Sequence, residues 1–143
     1  MGDKVQSRFE LLEHTGDSGL EVWSDSPEGI LETAALGMFS ILVELNTIQP
    51  EFQKSIELQS GSREDLLVDW LRELNLISIL DEMLFCRFEI QKLKDNSLNA
   101  HIFGEPVSKD KHKIFREIKA VTYHDLIFEQ RDSGWFARVI FDL

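Results

Sequence analysis

Two segments with helical periodicity, set among shorter runs typical of β-strands, constrain the fold of this chain most. Residues 26–28 combine a serine at the N-cap, a proline at the first helical position and a glutamate in the first turn, which together predict a helix start. Apolar residues then recur at helical spacing, and the pattern predicts a helix that ends near Leu45-Asn46. A second helix is predicted after Gly61-Ser62, with a wide apolar stripe from Leu66 to Leu80. Two such amphipathic helices need a sheet to pack against.

The strand-like runs are numerous, and they are grouped rather than alternating one by one with helices. Turn residues at Asp95-Asn96-Ser97 and Asp132-Ser133-Gly134 predict tight hairpins, which join antiparallel strands. The sequence therefore predicts an α+β two-layer sandwich, in which a mostly antiparallel sheet is covered by the two amphipathic helices. The eight predicted strands are Phe9 to Glu13, Leu20 to Ser24, Phe52 to Gln59, Leu84 to Leu93, Leu98 to Phe103, Phe115 to Tyr123, Leu126 to Glu129 and Trp135 to Asp142.

Composition limits the class of protein. A chain of 143 residues with 43% hydrophobic content is predicted to form a single domain, residues 1–143. The formal net charge of −11 disfavours direct binding to nucleic acid, so any role in RNA chemistry is expected to act through a protein partner. Cys86 is the only cysteine, which excludes an internal disulfide and favours a reducing compartment. Because no signal peptide or long apolar run is visible, we expect a cytoplasmic protein without a membrane partner.

Acidic side chains lie near both ends of the sequence. Asp17 lies among glycine and serine residues, a turn composition in which an aspartate most often caps its own backbone. Asp142 follows a strand-like run that reaches Leu143, so we expect the α-carboxylate of Leu143 to be held near the fold. Carboxylate oxygens of this kind suit Ca²⁺, Mn²⁺ or Mg²⁺. The alternative for Asp142 is an ion pair with Arg138, which shares its strand face.

Four runs of the sequence extend together over nearly the whole chain: Leu12 to Asp17, Asp65 to Leu71, Lys119 to His124 and Gly134 to Leu143. In this order and at these separations they resemble the archease family. Archeases activate the GTP-dependent RNA-splicing ligase of the RtcB type by promoting its guanylylation and its repeated turnover. The resemblance therefore implies an accessory protein with an RtcB-type ligase as its partner, in contact with RNA only indirectly.

The resemblance also implies roles for individual residues. The metal-binding acids of the family match Asp17 and Asp142, and the terminal residue, here Leu143, also contributes a ligand. We expect the divalent cation to be Ca²⁺ or Mn²⁺, with Mg²⁺ also suited to such oxygens. A functional lysine of the family matches Lys119. From the residue pattern alone, the alternative for Lys119 is a solvated lysine on a strand.

Two histidines accompany these residues. His14 and His124 are expected to form hydrogen bonds near the site, with a role in partner binding or activation. Neither has the spacing of a zinc motif, and Cys86 is the only thiol, so zinc is disfavoured. The chain departs from the family pattern at Gly16, where alanine is usual, and at Ser18, where an apolar residue is usual.

Two further function classes stay open from the sequence. One is a stand-alone metal-dependent phosphohydrolase that uses the same acids, and a weaker one is a generic chaperone. The sequence favours the ligase activator over both, because it contains neither a nucleophile paired with a base nor a glycine-rich phosphate loop.

Overall fold

The structure, a computed structural model, describes residues 6–14 and 17–143, and it describes His14 and Asp17 only in their backbone. No helix in these two ranges is long and apolar enough to cross a membrane. In chain order the elements are β1 (Arg8–His14), β2 (Asp17–Ser24), α1 (Pro27–Leu42), a 3₁₀ turn (Leu45–Thr47), β3 (Phe52–Gln59), α2 (Arg63–Asp81), β4 (Met83–Lys94), β5 (Ser97–Pro106), β6 (Ala120–Arg131) and β7 (Gly134–Asp142).

The strands form two antiparallel sheets, which confirms the predicted α+β class. One sheet has the order β1-β2-β7-β6 and the other has the order β3-β5-β4. The sequence pattern predicted a single sheet, but the strands divide into two sheets. This is because β2 pairs with β7, the last strand of the chain, while β3, β4 and β5 pair among themselves. Helix α1 packs on β2 and β4, and α2 packs on β6 and β4, so each helix contacts both sheets.

Side-chain caps begin both helices where the sequence predicts. The hydroxyl of Ser26 accepts a hydrogen bond from the Gly29 amide, and that of Ser62 accepts one from the Asp65 amide, each at 3.0 Å. Helix α1 ends at Leu42, about one turn earlier than expected, because the next residue, Val43, adopts an extended backbone.

The apolar core lies between the helices and the two sheets. Trp70 of α2 is fully buried and its indole N–H donates to the carbonyl of Leu31 in α1 at 2.9 Å, which joins the two helices. Phe39 of α1 packs edge-on against Phe85 of β4. The predicted apolar stripe of α2 does not remain buried to its end, because Leu80 is 69% exposed.

The sixth strand differs from its prediction. Residues 115–119 were expected to be strand, yet they form an irregular segment that precedes β6. Their backbone groups bond elsewhere: the Phe115 amide donates to the Leu42 carbonyl at 2.8 Å, and the Ile118 carbonyl accepts from the Asn75 side chain at 3.1 Å. The last residues of the predicted strand Phe115 to Tyr123 and the whole predicted strand Leu126 to Glu129 merge into β6, whose pairing with β7 is interrupted between Thr122 and Ile127.

A buried polar cluster fixes the segment of residues 107–119, which leads into β6. The carboxylate of Glu105 accepts hydrogen bonds from the Gln49 amide at 2.8 Å, from Lys111 Nζ at 2.9 Å and from His112 Nε2 at 2.9 Å. His112 Nδ1 accepts from the Ser108 amide, which leaves the ring proton on Nε2 for the bond to Glu105. Burial disfavours the charged carboxylate, but the bonds from Lys111, Gln49 and His112 outweigh it and lower the pKa of Glu105 to about 2.

This cluster predicts an acid-dependent loss of stability. The pKa of Glu105 in the fold lies below the ~4.3 of an unfolded glutamate, so its charge stabilises the fold above about pH 4.3, and this contribution is lost as the pH falls towards about 2. Glu105→Gln should lower the free energy of unfolding at pH 7 by roughly 1–3 kcal/mol. It should also lose less stability than the parent between about pH 4.5 and about pH 2.

Urea denaturation at a series of pH values measures both effects. Glu57→Gln, an exposed position on β3, is the matched control and should follow the parent. A Glu105→Gln variant whose acid profile coincides with that of the parent would show that the cluster does not govern acid stability.

Candidate functional site

The register of the four-stranded sheet brings the two ends of the chain together. In the β2–β7 ladder Asp17 lies directly opposite Asp142, and His14 of β1 lies opposite Asp17. On its other side Asp142 lies opposite Ala120 of β6. These four positions form one row across the sheet, here called the Asp17–Asp142 row. Facing positions in antiparallel strands generally have Cβ atoms about 4.5–5.5 Å apart, so the row unites the two acids that the sequence places 125 positions apart.

The surroundings of Asp142 differ from those of a strand-edge carboxylate. Strand β7 lies between β2 and β6, and the Asp142 side chain is exposed at the end of this central strand. The alternative partner Arg138 is engaged elsewhere, because its guanidinium bonds the Glu21 carboxylate at 2.7 Å. The structure therefore does not support an Asp142–Arg138 ion pair.

Lys119 lies beside the same row. Its backbone N–H donates to the carbonyl of Asp142 at 2.8 Å, and its side chain is exposed. The sequence placed Lys119 within a strand, but it precedes β6 by one residue. Its neighbours Ile118 and Val121 are buried and anchor this part of the backbone. One hydrogen bond thus fixes the predicted functional lysine next to one of the predicted metal-binding acids.

The remaining predicted site residues lie at different distances from the row. Leu143 follows Asp142 directly, and its side chain packs, partly buried, against the core. His124 belongs to the unpaired part of β6 between Thr122 and Ile127, is exposed, and places Nε2 3.3 Å from a carboxylate oxygen of Asp125. No hydrogen bond or ion pair among the described side chains joins His124 to Asp142. The side chains of His14 and Asp17 lie outside the described residues.

The two acidic positions of the row are occupied by aspartates, whose carboxylates are the ligands that hard divalent cations prefer, and the row also includes His14. Cys86, the only cysteine of the sequence, lies in the other sheet on β4. Among the side chains that the structure describes, no three from His, Cys, Asp and Glu converge on one point. Since Asp17 is not among those side chains, the cation site stays a prediction.

Two residues of β2 support the row, and the sequence analysis assigned neither of them this role. A Cβ atom on Gly19 would lie 2.7 Å from the Ile140 side chain and 3.0 Å from the Val139 carbonyl, so a larger residue at this position would crowd the close approach of β2 and β7. Ser18 is buried and its hydroxyl donates to the Leu12 carbonyl at 3.4 Å, so its polar group is satisfied within the fold. The turn-like composition around Asp17 hid both roles, because the predicted strand begins only at Leu20 whereas β2 begins at Asp17.

Known proteins match this chain over nearly its whole length, in sequence and in fold. The profile of the Archease protein family (MTH1598/TM1083) matches residues 9–143. The chain is similar to the solution structure of Methanobacterium thermoautotrophicum protein 1598, with a TM-score of 0.82, 33% sequence identity and coverage of 94% of this chain and 98% of that one.

Curated relatives give the same result. Protein archease of Methanopyrus kandleri is 38% identical over 138 residues, which cover 94% of this chain and 99% of the relative. Protein archease of Methanosarcina mazei is 34% identical over 140 residues, covering 95% and 96%. Protein archease of Pyrococcus abyssi is 32% identical over 140 residues, covering 95% and 99%. The chain therefore belongs to the archease family.

Proposed function

We propose that this archease is an accessory protein that promotes the guanylylation and repeated turnover of a GTP-dependent RNA-splicing ligase of the RtcB type in the cytoplasm. The observation that carries the proposal is the Asp17–Asp142 row with Lys119 bonded to it, because it unites three of the four runs that resemble the family. An accessory role needs a surface that a partner can reach, and the side chains of Asp142 and Lys119 are both exposed.

Electrostatics supports a cation at the row. Two carboxylates about 4 Å apart repel each other by roughly 4 kcal/mol at an effective dielectric of about 20. A divalent cation held by Asp17, Asp142 and the α-carboxylate of the 143-residue chain would remove this repulsion and supply a positive centre for phosphate or carboxylate oxygens. Lys119 adds a second positive charge beside it. We propose that these groups stabilise the ligase conformation that accepts the guanylate.

The acidic charge of the chain supports indirect rather than direct contact with RNA. A net charge of −11 repels a phosphate backbone, so the ligase is the partner that holds the RNA. A stand-alone phosphohydrolase would also require a nucleophile and a base beside the cation. The sequence contains neither a motif that pairs a nucleophile with a base nor a glycine-rich phosphate loop, so the accessory role is preferred.

Activity with the purified ligase tests the proposal. Added below the ligase concentration, together with GTP, Mn²⁺ and radiolabelled RNA, the protein should raise both the rate of ligase guanylylation and the number of turnovers. Alone, it should form no covalent guanylate, join no RNA ends and release no phosphate. Ligase kinetics that stay unchanged over a full titration would sink the proposal.

Lys119→Ala should reduce this activation while leaving the fold intact. The side chain is exposed, so its removal should change the free energy of unfolding by less than about 0.5 kcal/mol. Ligase activation should fall at least tenfold, if the ammonium group meets the partner. Lys92→Ala, an exposed lysine on β4 outside residues 107–119, is the matched control. If Lys119→Ala activates as well as Lys92→Ala, then Lys119 is only a solvated lysine.

Cation binding should depend on the acids of the row. In the parent, Ca²⁺ or Mn²⁺ at 100 times its dissociation constant should stabilise the fold by about 2.7 kcal/mol. Asp17→Asn and Asp142→Asn should abolish this stabilisation, because each removes a charged ligand. A C-terminal tag on the 143-residue chain should weaken it, since the tag converts the α-carboxylate of Leu143 into an amide.

Calorimetric titration and thermal unfolding measure these effects. Asp132→Asn, an exposed aspartate in the β6–β7 turn, is the control and should bind the cation like the parent. Equal cation affinity in all variants would show that these oxygens do not form the site.

A further inference from the structure

An apolar groove lies at the C-terminal half of α2, next to Lys119. It has a volume of about 430 Å³ and lies between α2, the start of β4 and the segment of residues 107–119. We call it the α2 groove. Its aliphatic lining consists of the buried residues Leu42, Leu84 and Ile118 and the exposed residues Ile79, Val107 and Ile114.

The two uncharged polar side chains in the wall of the groove, Asn75 and Ser78, are already satisfied within the fold. Asn75 donates its amide to the Ile118 carbonyl at 3.1 Å, and Ser78 donates its hydroxyl to the Met83 carbonyl at 2.5 Å. Because the side chains of Asn75 and Ser78 are already hydrogen-bonded to carbonyl groups of the protein, the surface that they and the apolar residues offer to a partner is mainly aliphatic.

The apolar surface continues beyond the groove along α2. Leu76, Ile79 and Leu80 are 49%, 61% and 69% exposed, and their spacing places them on one face of the helix. Contiguous apolar side chains that are exposed in this way are typical of interaction sites, whereas single exposed apolar residues occur on any protein surface. Its elongated shape suits a polypeptide segment rather than an enclosed small molecule.

The charge at the groove is opposite in sign to that of the whole chain. Residues 107–119 carry five of the 15 lysine and arginine residues but only two acids, in a chain of net charge −11. Arg116 and Lys119 line the groove, with Glu117 as the acidic lining residue. In the part of the chain that the structure describes, no ion pair engages Arg116 or Lys119. An acidic partner is therefore the complementary one.

We propose that the α2 groove docks an acidic segment of the ligase that inserts an apolar side chain between α2 and residues 107–119. The identity of this partner rests on the proposed function, whereas its chemistry follows from the groove. Lys119 belongs to the groove and is bonded through its backbone to Asp142, so the docked segment lies beside the Asp17–Asp142 row. RNA is the less suited occupant, because the floor is aliphatic and offers no aromatic ring for base stacking.

Binding of the purified full-length ligase to variants of the groove tests this proposal. Ile79→Glu places a carboxylate on the apolar strip and should weaken binding about tenfold or more, as expected when an interface loses an apolar anchor. Arg116→Glu should weaken binding similarly, and the affinity of the parent should fall with increasing salt. Phe52→Glu, which alters a similarly exposed apolar residue on β3 that does not line the groove, should bind within twofold of the parent.

The outcomes separate this inference from the proposed function. If the parent binds and activates the ligase while Ile79→Glu and Arg116→Glu bind equally well, the groove proposal is wrong and the proposed function stands. If the parent neither binds nor activates the ligase, both are wrong. If the groove variants lose binding to RNA in the absence of the ligase, the groove is an RNA site instead. If they lose self-association measured by sedimentation, the groove binds a second copy of the chain instead. The unfolding midpoints of all variants verify that each one is folded.

Discussion

The antiparallel pairing of β2 with β7 is the constraint on which the rest of the structure depends. It joins the start of the chain to its last strand and thereby completes the four-stranded sheet on which the helices pack. Gly19 permits the close approach, and the register places Asp17 opposite Asp142. A slip of one residue would move every side chain of β7 to the other face of the sheet and bury the Asp142 carboxylate. The proposed cation site and the core are therefore fixed by the same ladder.

Local signals made the helices and most strands predictable from the sequence. The hydroxyls of Ser26 and Ser62 each accept a hydrogen bond from a backbone amide three residues further on, so the residues that determine each helix start lie within four positions of one another. The division into two sheets was not predictable in this way, because it depends on which distant strands pair. Residues 115–119 illustrate the same limit: their pattern is typical of a strand, but Leu42 and Asn75 take the hydrogen bonds that a strand partner would need.

The candidate site was predictable only in part. The resemblance to archeases identified Asp17, Asp142 and Lys119, and the family membership is now shown by the comparisons. Neither periodicity nor composition could show that Lys119 bonds to Asp142, since that contact joins an irregular segment to a strand end. The sequence also did not reveal the exposed end of α2. Leu80 continues a regular apolar stripe, and only the fold shows that no element within residues 6–14 and 17–143 covers it.

The segment of residues 107–119 links the two proposed surfaces physically. Glu105 and His112 hold its beginning through buried hydrogen bonds, and the Lys119–Asp142 bond holds its end. Between them the segment forms one wall of the α2 groove. If docking in the groove and cation binding at the row both shift this segment, each must strengthen or weaken the other by the same factor, because coupling between two binding equilibria is reciprocal. Under the proposed function, the ligase and the cation would then be coupled through a single stretch of backbone.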